Sequence, residues 1–331
     1  MAELFALQPQ RPWLPRLSRP RRVAWGGALA TVLLLAAMGE VAAQGTNDDR
    51  LRRIDGRSIG CSQKQDVLDR IRCQGSMRVG VRGNYPGFGV RTGVAFTGYD
   101  VAVAKLIGER LGVAVELVEV TSQDRIRKLA SGRVDMIVAT MAHTVTRQRE
   151  IRVVRPHYYS TYTVMVGAKT SALQTENELA GQQVCAPLGH FSNLRLTELR
   201  ASVSLYNNSA RMMDALISGV CRLVLHDATF LRAYMHEPEF ARRFEEKVRF
   251  DSAPWGIAIA HEDTDGLYQA VSKIIAEAHR ASRLTEFAEA YGLETAFLRE
   301  QQADWSVPEC WRDGAPAEPC FLPPYEDEVI R

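Results

Sequence analysis

One short loop carries residue types that can bind a carboxylate. An apolar stretch at residues 134–139 is followed by small and hydroxyl residues as far as Thr144 and Thr146, and Arg149 lies three positions after Thr146. Ligands bind at the carboxyl ends of strands in open α/β sheets, so the loop has a suitable position. Thr146 can cap a helical turn, and the Arg149 guanidinium can hold a carboxylate through two parallel hydrogen bonds. The alternative is that Arg149 is a surface arginine in the first turn of a helix.

The segments that position this loop alternate between strands and helices. The first set consists of apolar strand-like segments separated by segments with helical periodicity, namely strands 77–81, 114–120 and 134–139 and helices 100–111 and 124–130. This β-α-β-α-β order predicts a parallel sheet covered by helices. A second set has predicted strands at 158–166, 184–186, 203–206, 222–225 and 254–260. We therefore expect an α/β protein with two lobes and a cleft between them.

Composition limits the class of protein. The 331 residues include 46% hydrophobic and 24% charged residues, which is typical of a globular protein. The formal net charge is only +2, and no basic run follows the N-terminal region, so a nucleic-acid partner is not expected.

The N-terminus has the organisation of a secretory signal. Several arginines precede an apolar run at residues 23–38, and small residues at 41–43 precede Gln44. We expect residues 1–43 to be a signal peptide. The run is short for a membrane span, although an uncleaved anchor is the alternative.

The six cysteines all follow the predicted signal. An even number of cysteines in an exported chain indicates disulfides. Proximity along the chain favours two pairs and leaves a third, which gives Cys61–Cys73, Cys310–Cys320 and Cys185–Cys221. Metal binding is the weaker alternative, because no two cysteines are spaced as a ligand pair and no histidine has a matching spacing. We expect neither a metal site nor a cofactor.

Five segments together resemble one protein family. They are a strand and loop at 77–88, a helix start at 98–104, the loop segment 131–149, and two strand regions at 181–189 and 216–227. In order and spacing they resemble the periplasmic solute-binding proteins of amino-acid ABC importers, which have a two-lobed Venus-flytrap fold. The resemblance covers most of the chain after the signal.

The resemblance implies a domain arrangement. Lobe 1 is expected at residues 66–165 together with 256–297, and lobe 2 at 166–255. A loose segment at 44–65 would precede them, and the Pro-rich residues 298–331 would form a disulfide-tied tail on one lobe.

It also implies a function. The protein would bind a free amino acid in the periplasm and deliver it to the membrane permease of an ABC importer, acting as a monomer. Arg149 would anchor the α-carboxylate with help from Thr144. The Ala142 carbonyl and Asp227 would receive the ligand ammonium from opposite lobes, although Asp227 can instead be a helix N-cap.

The resemblance also suggests contacts to the ligand side chain. Arg82 follows the first strand, and a cation there favours an acidic or amide side chain. It can instead be a solvated loop arginine. Tyr85 and Phe88 would form an aromatic wall over the ligand, or pack the loop.

The loop of the second lobe departs from the family pattern. The family usually has Gly-Thr-Thr, whereas this chain has Gly189, His190 and Phe191. Backbone N–H groups there can bind a carboxylate, and the His190 side chain can donate to an acidic group. His143 is expected to serve packing.

Two rival functions use the same fold. A dehydratase for cyclic pre-aromatic acids needs a general acid in the cleft, and no carboxylate is an evident candidate. A signalling input module would be attached to a transmembrane helix and a cytoplasmic domain, which we expect only if the N-terminal run is an uncleaved anchor.

Overall fold

The computed structural model describes residues 60–61, 66–262, 264–312 and 314–316. The predicted signal peptide and nearly all of the predicted loose segment lie outside the described residues, as does the end of the predicted tail.

The first part of the described chain is a β-α-β-α-β unit with an inserted hairpin. Its elements are α1 (Val67–Gln74), β1 (Ser76–Val81), β2 (Asn84–Tyr85), β3 (Gly89–Thr92), β4 (Ala95–Thr97), α2 (Tyr99–Leu111), β5 (Ala114–Glu119), α3 (Arg125–Ala130) and β6 (Met136–Ile137). Strand β1 pairs in parallel with both β5 and β6, as the sequence predicts. The short strands β2, β3 and β4 form a separate antiparallel sheet.

In the second part, strands and helices again alternate, and a long strand lies at each end of the series. Its elements are α4 (Val145–Gln148), β7 (Arg152–Ala168), β8 (Gln183–Pro187), α5 (Asn193–Glu198), β9 (Ser202–Tyr206), α6 (Ser209–Ile217), β10 (Leu223–Asp227), α7 (Ala228–Met235), α8 (Pro238–Arg243) and β11 (Phe244–Ile259). The remaining helices and strands are α9 (Asp265–Arg280), α10 (Arg283–Ala290), α11 (Ala296–Trp305), β12 (Trp311–Arg312) and β13 (Ala315–Pro316).

One mostly parallel sheet joins two lobes. Its strand order is β5-β1-β6-β11-β7-β10-β8-β9. The parallel group β5-β1-β6 belongs to one lobe, and the parallel group β10-β8-β9 belongs to the other. The antiparallel pair β7 and β11 lies between them, with register from Phe244 opposite Ala168 to Ile259 opposite Arg152. Both strands are longer than predicted, because charged and polar residues interrupt the apolar pattern that defines a strand in sequence.

Helix ends follow the local sequence. Asp66 is the N-cap of α1, and its carboxylate accepts from the backbone N–H groups of Leu68 and Asp69. Gly112 ends α2 in the left-handed conformation (φ 70°), as expected for a C-cap glycine.

A buried aromatic cluster lies behind the loop that follows β1. Phe88 is fully buried, and its ring centroid lies 4.9 Å from Tyr159, 5.0 Å from Trp255 and 5.6 Å from Tyr99. The edge-to-face geometry of these rings is the favourable one for aromatic pairs. The cluster fixes the β2 hairpin against β7 and β11.

Two of the predicted disulfides are confirmed. Cys61 and Cys73 are bonded with a Cα–Cα distance of 5.5 Å, and Cys185 and Cys221 with 6.0 Å. Cys320 lies outside the described residues, so its pairing with Cys310 stays a prediction.

The chain after residue 295 packs on the rest of the protein. Helix α11 lies against α9, and Trp305 is buried. The indole N–H of Trp311 donates to the Trp305 carbonyl at 3.0 Å. Within the described ranges, no helix is both long and apolar enough to cross a membrane.

Candidate functional site

A pocket lies where strand ends of the two lobes face each other. It encloses about 250 Å³, including its open mouth. Lobe 1 contributes residues after β1, β5 and β6, and lobe 2 contributes residues after β8 and at the end of β10, as expected for ligand sites in open α/β sheets. The lining residues are Arg82, Tyr85, Ser122, Arg125, Thr140, Ala142, Arg147, His190, Phe191, His226 and Asp227.

The loop after β6 brings Arg147, rather than Arg149, to the pocket. Thr144 is the N-cap of α4, and its hydroxyl oxygen accepts from the Arg147 backbone N–H at 3.3 Å. The buried Arg147 side chain donates to the Ala142 carbonyl at 2.7 Å and, across the cleft, to the Gly189 carbonyl at 3.0 Å. Arg149 is the exposed C-cap residue and does not line the pocket.

Arg147 takes the place predicted for Arg149 because a different threonine caps α4. Taking Thr146 as the cap puts the inward-facing third helical position at Arg149, whereas the observed cap, Thr144, puts it at Arg147. The cap of so short a helix depends on tertiary packing. The structure therefore places Arg147, and not Arg149, in the lining of the pocket.

Two further arginines form the other end of the lobe 1 surface. Arg82 and Arg125 are 6% and 2% exposed. Arg82 donates to the Ser122 hydroxyl oxygen at 2.5 Å, and Arg125 donates to the Ala139 carbonyl at 2.6 Å. The buried Nε atoms of both arginines have no hydrogen-bond partner among the described residues. Each therefore retains donor capacity beside the pocket.

The electrostatics of this end are strongly positive. The pKa of Arg125 is lowered well below its usual value, first by burial and then by repulsion from Arg147 and Arg82. Nearby Asp100 offers little compensation, because burial raises the pKa of its carboxyl group well above the usual range. A ligand with its own negative charge would relieve this repulsion.

The lobe 2 surface is built around a buried carboxylate. The Asp227 Oδ1 lies 3.1 Å from His190 Nε2, and its Oδ2 accepts from the Tyr85 hydroxyl at 3.2 Å. Burial opposes the ionisation of Asp227, but the neighbouring His190 and His226 hold its pKa well below its usual range. Asp227 is thus a buried anion that can accept from a ligand ammonium.

His226 supports Asp227 from behind. Its Nδ1 accepts from the Asp227 backbone N–H at 2.7 Å, and its Nε2 lies 3.0 Å from the Ser209 hydroxyl oxygen. Burial lowers the pKa of His226 to about 4. A neutral ring with a proton on Nε2 satisfies both contacts.

His190, His226 and Asp227 form a cluster that the sequence did not predict. One ligand atom from each lies within 4.8 Å of the others, a spacing that a metal ion could bridge. However, His226 Nδ1 and His190 Nε2 already take part in hydrogen bonds, and three arginines share the pocket. The arrangement therefore favours an anionic or zwitterionic ligand over a free cation.

Gly189 sets how closely the lobes approach. A Cβ atom at this position would lie 2.8 Å from the Ser122 carbonyl oxygen, and the residue has φ +80°, which side chains rarely adopt. Glycine is therefore required on two independent grounds where lobe 2 contacts lobe 1.

The pocket includes six of the ten predicted ligand-binding residues, namely Arg82, Tyr85, Ala142, His190, Phe191 and Asp227. Arg149 and three others lie outside its lining. Phe88 packs in the aromatic cluster, Thr144 caps α4, and Gly189 accepts from Arg147 through its carbonyl.

Five lining residues were missed by sequence reasoning, namely Ser122, Arg125, Thr140, Arg147 and His226. A usable signal existed for Ser122 and Arg125, because they follow β5 just as the loop residues follow β6. Thr140 offers none in the sequence. Its φ is +47°, and its backbone N–H donates to the Tyr158 hydroxyl at 2.9 Å.

Comparisons with known proteins define the family. The model of the bacterial extracellular solute-binding proteins, family 3, matches residues 77–294. The chain belongs to this family, which confirms the resemblance inferred from sequence. The family consists of binding proteins, so the site is a binding site rather than an enzyme active site.

Relatives in the family are named for different amino acids. The probable histidine-binding protein of Campylobacter jejuni is 29% identical over 114 residues, which cover 34% of this chain and 44% of that protein. The ABC transporter glutamine-binding protein GlnH of Bacillus subtilis is 28% identical over 239 residues, which cover 70% and 82%. A solved structure of a mutant ArgBP from T. maritima superposes with a TM-score of 0.62 at 23% identity, covering 68% of this chain and 98% of that one. This last likeness shows the two-lobed fold.

Proposed function

We propose that this protein binds a free amino acid with an acidic side chain and delivers it to the permease of an ABC importer, with an amide side chain as the next choice. The observation that carries the proposal is the set of three buried arginines, Arg82, Arg125 and Arg147, in a pocket that also holds one buried carboxylate, Asp227. Both ends of an amino acid and an ionised side chain have complementary partners in this set.

The α-carboxylate end is assigned to Arg147. Its guanidinium spans from the Ala142 carbonyl in lobe 1 to the Gly189 carbonyl in lobe 2, so it lies at the boundary that closes over the ligand. A guanidinium presents several donors in one plane and suits bidentate carboxylate binding. The Ala142 carbonyl and Asp227 are acceptors for the ligand ammonium.

The side-chain end is assigned to Arg82, Ser122 and Arg125. A neutral amino acid would leave the two buried guanidinium groups facing each other without a counter-charge, which is costly in a low-dielectric site. A side-chain carboxylate supplies that charge and accepts from both groups. An amide supplies only an oxygen acceptor, and its NH₂ group faces arginines, which cannot accept a hydrogen bond.

The closing mechanism follows from where these groups lie. Arg82, Arg125 and Arg147 are in lobe 1, whereas Asp227 and His190 are in lobe 2. A ligand that contacts both sets joins the lobes, and closure excludes water and strengthens every charged contact.

A ligand screen tests the proposal directly. Differential scanning fluorimetry with single amino acids should give the largest upshift for glutamate or aspartate, a smaller one for glutamine or asparagine, and none for lysine or arginine, because ligand binding to the folded state stabilises it by mass action. The largest upshift with a basic amino acid would refute the acidic preference. No response to any amino acid would refute the function.

Export to the periplasm is part of the proposal. It is supported by the arginine-rich, then apolar, N-terminal pattern and by the disulfides Cys61–Cys73 and Cys185–Cys221. The intact mass of the exported protein tests it, since cleavage after residue 43 leaves Gln44 as the first residue.

A further inference from the structure

Two buried histidine rings are joined directly behind the ligand loop. His143 follows Ala142, and its Nδ1 lies 2.7 Å from Nε2 of His157 on β7. The two residues are 1% and 2% exposed. The other ring nitrogen of His143 contacts the side-chain amide nitrogen of Gln148, in the last turn of α4. The pair thus connects the loop and the helix that carries Arg147 to a central strand.

Hydrogen bonds between main-chain groups join the first half of this loop to β11. The His143 backbone N–H donates to the Pro254 carbonyl at 2.8 Å, and the Gly256 N–H donates to the Met141 carbonyl at 3.0 Å, both on the β11 side. After His143 the chain turns into α4. The His143 ring, bonded to Gln148 on one side and to His157 on the other, is a side-chain link that fixes the helix in place.

These contacts accommodate a limited number of protons. A hydrogen bond between two ring nitrogens contains one proton, and a ring nitrogen that receives the Gln148 amide N–H must be unprotonated. A neutral His143 with its proton on Nδ1 satisfies both contacts. An added proton on His143 would place an N–H group against the amide N–H of Gln148, so the Gln148 amide would have to turn over to accept it.

The surroundings disfavour an added charge. Burial, with a smaller contribution from Arg155 on β7, lowers the pKa of His143 to about 4. Burial also lowers the pKa of His157 well below its usual value, with contributions from His143, Arg155 and His279. From α9, His279 Nε2 lies 2.8 Å from the His157 carbonyl oxygen, and after β11 His261 Nε2 lies 2.9 Å from the Gln148 carbonyl oxygen. The β11 side contributes the Pro254 carbonyl.

We propose that His143 and His157 are positioning residues of the ligand site, whose ring-to-ring hydrogen bond holds α4 and Arg147 in the binding geometry only while both rings are neutral. The inference rests on the proposed binding of a carboxylate at Arg147. It goes beyond the expectation that His143 serves packing. Acid then weakens ligand binding by protonating this pair. This effect is separate from any change in the charges that line the cleft.

The test compares variants that keep the hydrogen bond but cannot titrate. His157→Gln places an amide group near the position of Nε2, and His143→Asn does the same for Nδ1. His236→Gln is the matched control, because His236 is an exposed histidine just after α7. The probe is L-glutamate, and its dissociation constant is measured by calorimetry at pH 7.5 and pH 5.0 with the exported full chain.

The expected pattern separates positioning from folding. In the wild type and in His236→Gln, the dissociation constant should rise about fivefold or more at pH 5.0, since a proton enters the pair when the loop is displaced. The His157→Gln variant should bind within about threefold of the wild type at pH 7.5 and show a rise below about twofold. A pH dependence in His157→Gln and His143→Asn equal to that of the wild type would overturn the proposal.

A second measurement needs no ligand. In nitrogen-15 NMR spectra of histidine-labelled protein without ligand, the His143 and His157 signals should titrate together, with a midpoint below their ordinary value of about 6.5. Independent titration of both rings near their ordinary value, about 6.5, would overturn the proposal. Because this readout does not depend on glutamate, a failure of glutamate to bind would refute the proposed function without deciding the role of the pair.

Discussion

The two faces of the cleft carry opposite charges. The lobe 1 face presents three arginines, anchored on backbone carbonyls and on Ser122, whereas the lobe 2 face presents one carboxylate supported by two histidines. The lobe 1 face thus has positive charge in excess, and the lobe 2 face has one negative charge that is already hydrogen-bonded. Under the proposed function, lobe 1 selects the ligand by charge, while lobe 2 completes the site on closure.

The largest expected effect is at Arg147. Arg147→Ala removes the proposed carboxylate partner from lobe 1 and the contact to the Gly189 carbonyl, so glutamate affinity should fall by at least about 30-fold, or about 2 kcal/mol. Arg149→Ala is the matched control, because Arg149 is exposed two residues further along. Calorimetric titration of both variants with glutamate shows which of the two arginines contributes to ligand binding. A large loss in Arg149→Ala with little loss in Arg147→Ala would restore the assignment made from sequence.

A smaller effect with a change of preference is expected at Arg125. Arg125→Gln removes a buried positive charge at the side-chain end, so glutamate binding should weaken by about tenfold or more while glutamine binding changes less. The ratio of the two dissociation constants is the quantity to measure. An unchanged ratio would show that the lobe 1 charges do not select the side chain.

The contribution of lobe 2 to closure is tested at Gly189. In Gly189→Ala the added Cβ would clash with the Ser122 carbonyl, and the left-handed backbone would be strained by about 1–2 kcal/mol. We expect glutamate to bind about three- to tenfold more weakly, with a larger radius of gyration for the ligand-saturated protein in solution scattering. Gly181→Ala is a control for backbone strain alone, because Gly181 also has positive φ but open space around it.

A separate effect, distributed over several buried rings, is expected on stability against acid. His143, His226 and His279 each have a pKa lowered to about 4 by burial, against about 6.5 in the unfolded chain. The folded state therefore resists protonation, so stability is complete above about pH 6.5 and declines as the pH falls towards 4. The loss is on the order of 3 kcal/mol for each ring.

Chemical denaturation at pH 7.5, 5.5 and 4.5 measures this decline. A constant free energy of unfolding across the series would contradict the burial of neutral rings. His157 is a fourth buried ring with a lowered pKa. Because His226 lies in lobe 2, away from the other three, His226→Asn should remove roughly a quarter of the decline.

The sequence predicts the framework of this protein well. Alternating strands and helices, the C-cap at Gly112 and the order of the ligand-facing loops all depend on neighbouring residues, and the structure has them where the pattern indicates. The disulfide Cys61–Cys73 follows from proximity along the chain, and Cys185–Cys221 is the pair that the two proximity pairs leave over. Residues at or directly after strand ends, such as Asp227 and Arg82, reach the pocket because strand direction takes them there.

The tertiary structure decides what the local pattern leaves open. Thr144 and Thr146 are both acceptable caps, and the folded structure uses Thr144, which brings Arg147, not Arg149, to the cleft. Long-range contacts also join His143 to His157 and place His190 beside Asp227 across 37 residues of chain. Such pairings depend on how strands from distant segments align, because a side chain's partner across the sheet is not encoded by its neighbours in sequence.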